Sequence, residues 1–125
     1  MEVIKIEAGK RTPFVHLDYD NKIMKMSGRS MPEDAVGFYI PIIDWFKEYL
    51  KQPLKDGVLD VRLEYFNTSS SKNLLEIFKL VKDAENGNSI NWHYDWEDED
   101  MQEAGEDFIF IIGESIRLIE DNEDE

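Results

Sequence analysis

Apolar and polar residues trade places at every second position in several short stretches of this chain, the pattern of strands whose successive side chains point to opposite sheet faces. The clearest is "LDVRLEY", where Leu59, Val61, Leu63 and Tyr65 alternate with Asp60, Arg62 and Glu64. "INWHYDW" repeats it, setting Ile90, Trp92, Tyr94 and Trp96 against Asn91, His93 and Asp95. "VIKIEA", "PFVHLDY", "KIMKMSG" and "IRLIE" are shorter instances, and Asp20 and Asn21 suit a hairpin turn between the second and third. A strand covered on both faces would read as an unbroken apolar run. The alternation therefore predicts a sheet with one buried and one wet face, and helices mainly on one side.

Longer stretches carry helical spacing instead. Phe38, Ile42, Trp45, Phe46 and Tyr49 form one apolar stripe, preceded by "SMPE", a Ser-x-x-Glu capping box at Ser30 and Glu33 with Pro32 in the first turn. Pro41 disfavours helix at Ile40, which predicts a kink or a late start. Leu74, Leu75, Phe78 and Val81 form a second stripe, in a helix beginning near Lys72 and ending at "ENGN", where Gly87 offers a C-terminal cap. A third helix begins near Asp100, with Glu103 as its capping partner, and buries Met101, Ala104, Phe108 and Ile112; "FIFII" within it reads equally as a strand. The tryptophans Trp45, Trp92 and Trp96, with Phe46, Phe78, Met24 and Met26, are assigned to the core.

The resulting order, βββαβαβαβ, predicts an α/β (α+β) fold: a single mixed sheet of about five to six strands with helices mainly on one face. Residues 1–119 are expected to form one domain and 120–125 an acidic tail. Strand, helix, strand crossovers are right-handed and give parallel neighbours. The loops "GRSMPE", "NTSSSK" and "EDED" should then emerge together at the carboxyl edge of the sheet, where sites in open α/β sheets usually lie.

Charge narrows the partners. The formal net charge of −14 repels nucleic acid and anionic membrane and favours basic protein surfaces. With no cysteine among 125 residues, disulfides and thiol chemistry are excluded, and the opening "MEVIKIEAGK" has no signal-peptide pattern. A cytoplasmic protein is the expectation. None of the phosphate-loop, nucleophile-elbow, zinc-helix or calcium-loop motifs occurs. His16 and His93 fall on the polar sheet face and read as surface histidines; "DWEDED" lacks the ligand spacing of a dedicated cation site. No catalytic residue, metal or cofactor is predicted.

One loop carries more polar side chains than its structure requires. Between a strand ending at Phe66 and a helix, the chain places Asn67, Thr68, Ser69, Ser70, Ser71 and Lys72. Capping uses one hydroxyl, whereas a phosphate here would sit at the positive end of a helix dipole, with Lys72 in the first turn and Arg29 arriving on the same edge. Regulatory phosphorylation thus stands beside simple capping as a reading of this loop.

Taken together, "GRSMPEDAVGFYIPIIDWFKEYL", "LEYFNTSSSKNLLEIFKLV" and "INWHYDWEDEDMQEAGEDF" resemble the SiaC-type bacterial regulatory phosphoproteins along essentially the whole chain. The specific parts are G-x-S-x-P-E before the first helix and F-N-T-S-S before the second. That family is similar in fold to STAS domains, the anti-sigma-factor antagonists. The resemblance implies that Thr68 is the phosphoacceptor, supported by Asn67, Ser69, Ser70, Ser71, Lys72 and Arg29. It further implies a dedicated kinase, a metal-dependent serine/threonine phosphatase and an output partner, typically a diguanylate cyclase. Gly28, Arg29, Ser30, Met31, Pro32 and Glu33 would form the partner-contact loop. Asp34 stands where asparagine is common in the family, and Ser71 where an apolar residue is often seen. Two other readings stay open: a small enzyme binding an anion or metal at the carboxyl edge, and a plain oligomerisation module.

Overall fold

The computed structural model describes residues 1–122. Its elements are β1 (Ile4–Ile6), β2 (Phe14–Asp18), β3 (Ile23–Ser30), α1 (Ala35–Tyr49), β4 (Val58–Phe66), α2 (Thr68–Ala84), β5 (Ser89–Asp95), α3 (Glu99–Ile112) and β6 (Ile116–Asp121). All six strands join in one sheet in chain order. β1, β2 and β3 form an antiparallel meander, and β3 to β6 run parallel. Successive right-handed crossovers in one direction place α1, α2 and α3 on the same face, and the ends of β3, β4 and β5 share one edge. The last strand takes in Glu120 and Asp121, which the sequence assigned to the tail; residues 123–125 lie outside the described residues.

The core lies between this face and the helices. Leu59, Val61, Leu63, Ile90 and Trp92 point into it, meeting Tyr39, Ile42 and Phe46 of α1, Leu74, Ile77 and Phe78 of α2, and Met101 and Phe108 of α3. Trp92 is its centre, with Phe66, Phe78 and Phe108 around it and its indole N–H donating to the Met101 carbonyl at 2.9 Å. Among the described residues no helix is long and apolar enough to cross a membrane.

Several sequence expectations need correction. Tyr65 and Trp96 are about half exposed, not core residues. At Tyr65 the cause is a register shift: Gly28 pairs with Leu63 but Arg29 with Tyr65, so Glu64 is extra and the alternation turns Phe66 inward instead. Trp96 lies beyond the end of β5, where a turn closed by the Asp95 carboxylate on the Glu97 amide ends period two. Ser30 and Glu33 form no capping box, because Ser30 is the last residue of β3; Asp34 caps α1 by accepting from the Gly37 amide at 3.0 Å. The late start that Pro41 predicted does not occur: α1 begins at Ala35, Ile40 is helical and Pro41 sits inside the helix. α2 begins at Thr68, four residues before Lys72. Asp98, not Asp100, caps α3, and "FIFII" is helical throughout.

Gly105 shows how closely α3 approaches the sheet. A Cβ on it would stand 2.5 Å from Trp92 Cδ1 and 2.5 Å from Leu118 Cδ2. Gly105→Ala is therefore expected to lower stability by about 1–3 kcal/mol through overpacking, although alanine is the better helix former by about 1 kcal/mol. Urea denaturation of the two proteins checks this; a gain in stability would contradict the packing.

Candidate functional site

Asn67 starts the site. It has extended backbone angles, its side-chain oxygen accepts from the Ser70 amide at 2.9 Å, and its carbonyl accepts from the Ser71 amide at 3.0 Å. This is an N-cap, so capping needs none of the four hydroxyls. Thr68 is the first helical residue, and the amides of Thr68 and Ser69 have no acceptor within the helix.

The hydroxyls then divide by burial. Thr68 and Ser69 are exposed, Ser71 is half-buried and Ser70 is fully buried. The Ser70 hydroxyl donates to the Ser30 carbonyl at 2.9 Å, and the Ser30 hydroxyl donates to Ser70 Oγ at 2.8 Å. Ser30 has then used its one proton, so the Tyr39 phenol, 2.5 Å away, must donate to Ser30 Oγ. Ser30 also accepts from the Asn67 amide at 3.0 Å through its carbonyl. Three buried hydroxyls thus lock the end of β3, the first turns of α1 and the start of α2 into one unit. Sequence reasoning missed Tyr39, which stands in an apolar stripe and gives no sign of its polar end.

Burial raises the pKa of Tyr39 above the ordinary tyrosine value, outweighing the lowering by its bonds to Ser30 and Ser70. Burial does the same at Tyr49 and Tyr94. With the folded value raised, the neutral phenol is the favoured native form. Its contribution is fully present below the unfolded pKa of about 10 and is lost as pH rises through the folded value. Stability should fall on the alkaline side of about pH 10, and Tyr39→Phe should flatten that fall. Denaturant titrations across this range measure both; an unchanged alkaline slope in the variant would contradict the assignment.

The remaining predicted residues lie around this lock. Lys72 is exposed one turn beyond Thr68. The contact that the structure gives Arg29 is with Tyr65, whose ring centroid is 5.8 Å from the guanidinium carbon. Gly28 has φ 99°, a conformation that glycine adopts without strain, beside the register shift. Met31 is half-buried, its amide donating to the Arg11 carbonyl at 2.7 Å; Pro32 is buried; Glu33 is exposed and 3.7 Å from Arg11. Arg11 is a second cation at this loop that the sequence did not single out. The acidic loop follows β5 on the same edge, with Asp98 occupied as the α3 cap.

On the other sheet face, His93 is less exposed than the sequence implied, at 14% for its side chain. It bridges Asp60 at 3.0 Å and Asp121 at 3.3 Å, while Arg62 reaches Asp121 at 3.1 Å. The cluster ties β4, β5 and β6 together. Among the described residues no group of three or more His, Asp or Glu is placed to hold a metal ion.

Comparison with known proteins settles the family. The model of the SiaC family of regulatory phosphoproteins matches residues 6–121. The chain belongs to the SiaC family. An uncharacterized protein of Pseudomonas aeruginosa strain UCBPP-PA14 is 33% identical over 111 residues, covering 86% of this chain and 88% of the relative. The crystal structure of apo-SiaC from Pseudomonas aeruginosa is similar at 30% identity and a TM-score of 0.83, covering 94% of this chain and 98% of that one. SiaC in the crystal structure of the diguanylate cyclase SiaD in complex with its activator SiaC, also from Pseudomonas aeruginosa, is similar at 30% identity and a TM-score of 0.85, covering 94% and 99%. This SiaC-family chain thus shares the mixed sheet and helix layer of a regulatory protein.

Proposed function

We propose that this SiaC-family protein is a non-enzymatic, cytoplasmic switch whose reversible phosphorylation at Thr68 controls binding to a diguanylate cyclase. A protein kinase adds the phosphate and a metal-dependent serine/threonine phosphatase removes it. The carrying observation is that Thr68 is exposed at the first position of α2 while Ser70, two residues on, is fully buried in the lock to Ser30. The complex of the similar SiaC with the cyclase SiaD supports the class of output partner.

The unmodified form presents a neutral hydroxyl beside "GRSMPE". Phosphate adds about −1.5 to −2 charges at the helix start, where the free amides of Thr68 and Ser69 and the nearby Lys72 hold it. Cyclase contacts fitted to a neutral hydroxyl are then lost, and the acidic loop on the same edge raises the difference between the two states. Intact-mass measurement on protein from its native host, with site mapping, tests the assignment. One phosphate on Thr68 is expected; a phosphate mapped to Ser70, or no modified form under any growth condition, would sink it.

A further inference from the structure

The solvent face of α3 carries an unbalanced charge. Glu99, Asp100, Glu103, Glu106 and Asp107 are all exposed, and the helix contains no Lys, Arg or His. Among the described residues none of these carboxylates forms an ion pair. Glu99 and Asp100 gain from the positive end of the helix dipole, but Glu106 and Asp107 lie in its second half, where that gain is absent. Glu99 with Glu103, and Glu103 with Asp107, are like-charge pairs at i, i+4 and disfavour the helix.

An aromatic ring stands in line with these carboxylates. Glu99, Glu103, Glu106 and Phe110 occupy positions i, i+4, i+7 and i+11, one stripe along the outer face. Phe110 is 91% exposed, and Ile111 beside it 54%. A second copy of this chain, a nucleic acid or an anionic membrane would each bring further negative charge to a protein of net charge −14. A basic protein surface relieves the repulsion, and an apolar pocket on it takes the ring.

We propose that the outer face of α3 docks a basic amphipathic helix of a partner protein, with Phe110 as its apolar anchor. The carboxylates steer and orient the partner, and the ring supplies the contact that discriminates it from any other cation. The anchor Phe110 lies at the opposite end of α3 from the edge that carries the Thr68 loop, whereas Glu99 and Asp100 also belong to the acidic loop on that edge.

The test uses the full chain and a synthetic helical peptide with lysines flanking a leucine stripe, followed by amide NMR shifts. Wild type should show shifts confined to α3 and its neighbours, with affinity falling as salt rises. Phe110→Ser should weaken binding about tenfold at constant salt, and the triple variant E103K/E106K/D107K should abolish it. Both variants alter exposed positions, and a retained cooperative thermal transition verifies the fold. Shifts scattered over the whole acidic surface, binding indifferent to Phe110, or no binding would each overturn the proposal.

Discussion

Replacing Ser70 with aspartate should destabilise the protein by about 3–5 kcal/mol, because it leaves an uncompensated charge in the core. The Ser70 hydroxyl is hydrogen-bonded into the relay from Tyr39 through Ser30 and is fully buried. A carboxylate there faces the Ser30 carbonyl, an acceptor that cannot donate to it, and one neutral hydroxyl donor from Ser30 does not offset the buried charge. Thr68→Asp, only two residues earlier, should leave stability unchanged or raise it by about 0.3–1 kcal/mol, since the first turn of a helix favours negative charge. Urea denaturation of both variants measures the contrast. Equal losses would mean that the two hydroxyls share an environment, against the burial difference that separates acceptor from support.

The second large effect concerns binding. A phosphate on Thr68 placed inside a contact surface fitted to a hydroxyl leaves charge without a partner across the interface. Losses of this kind run to about 2–5 kcal/mol, or roughly 30-fold to several-thousand-fold in Kd. Thr68→Ala should keep binding within a few-fold of wild type, because it removes a hydroxyl and adds no charge. Thr68→Asp should fall between, as a single carboxylate carries less charge and fewer acceptor oxygens than phosphate.

Much of this was legible in the chain itself. Period-two stripes located all six strands, and the parallel neighbours that strand, helix, strand crossovers give placed the "GRSMPE", "NTSSSK" and "EDED" loops on one edge. What escaped was decided by contacts distant in sequence. Ser30 looked like a cap because a hydroxyl three residues before a glutamate fits the pattern, yet pairing with Phe66 extends β3 through it. Tyr65 broke the alternation through a bulge that no local pattern announces. Ser70 was one of four equivalent hydroxyls in the sequence; only packing against Ser30 and Tyr39, 40 and 31 residues away in the chain, set it apart. "FIFII" was ambiguous because apolar runs of that length suit either element, and the Asp98 cap with continuous helix to Ile112 resolved it.

The most direct test of the switch is the affinity of a diguanylate cyclase from the source organism for the unmodified protein and for protein phosphorylated at Thr68, measured by titration calorimetry in one buffer. The unmodified form should bind, and phosphorylation should weaken binding at least about 30-fold. Equal affinity of the two forms, or tighter binding by the phosphorylated one, would contradict it.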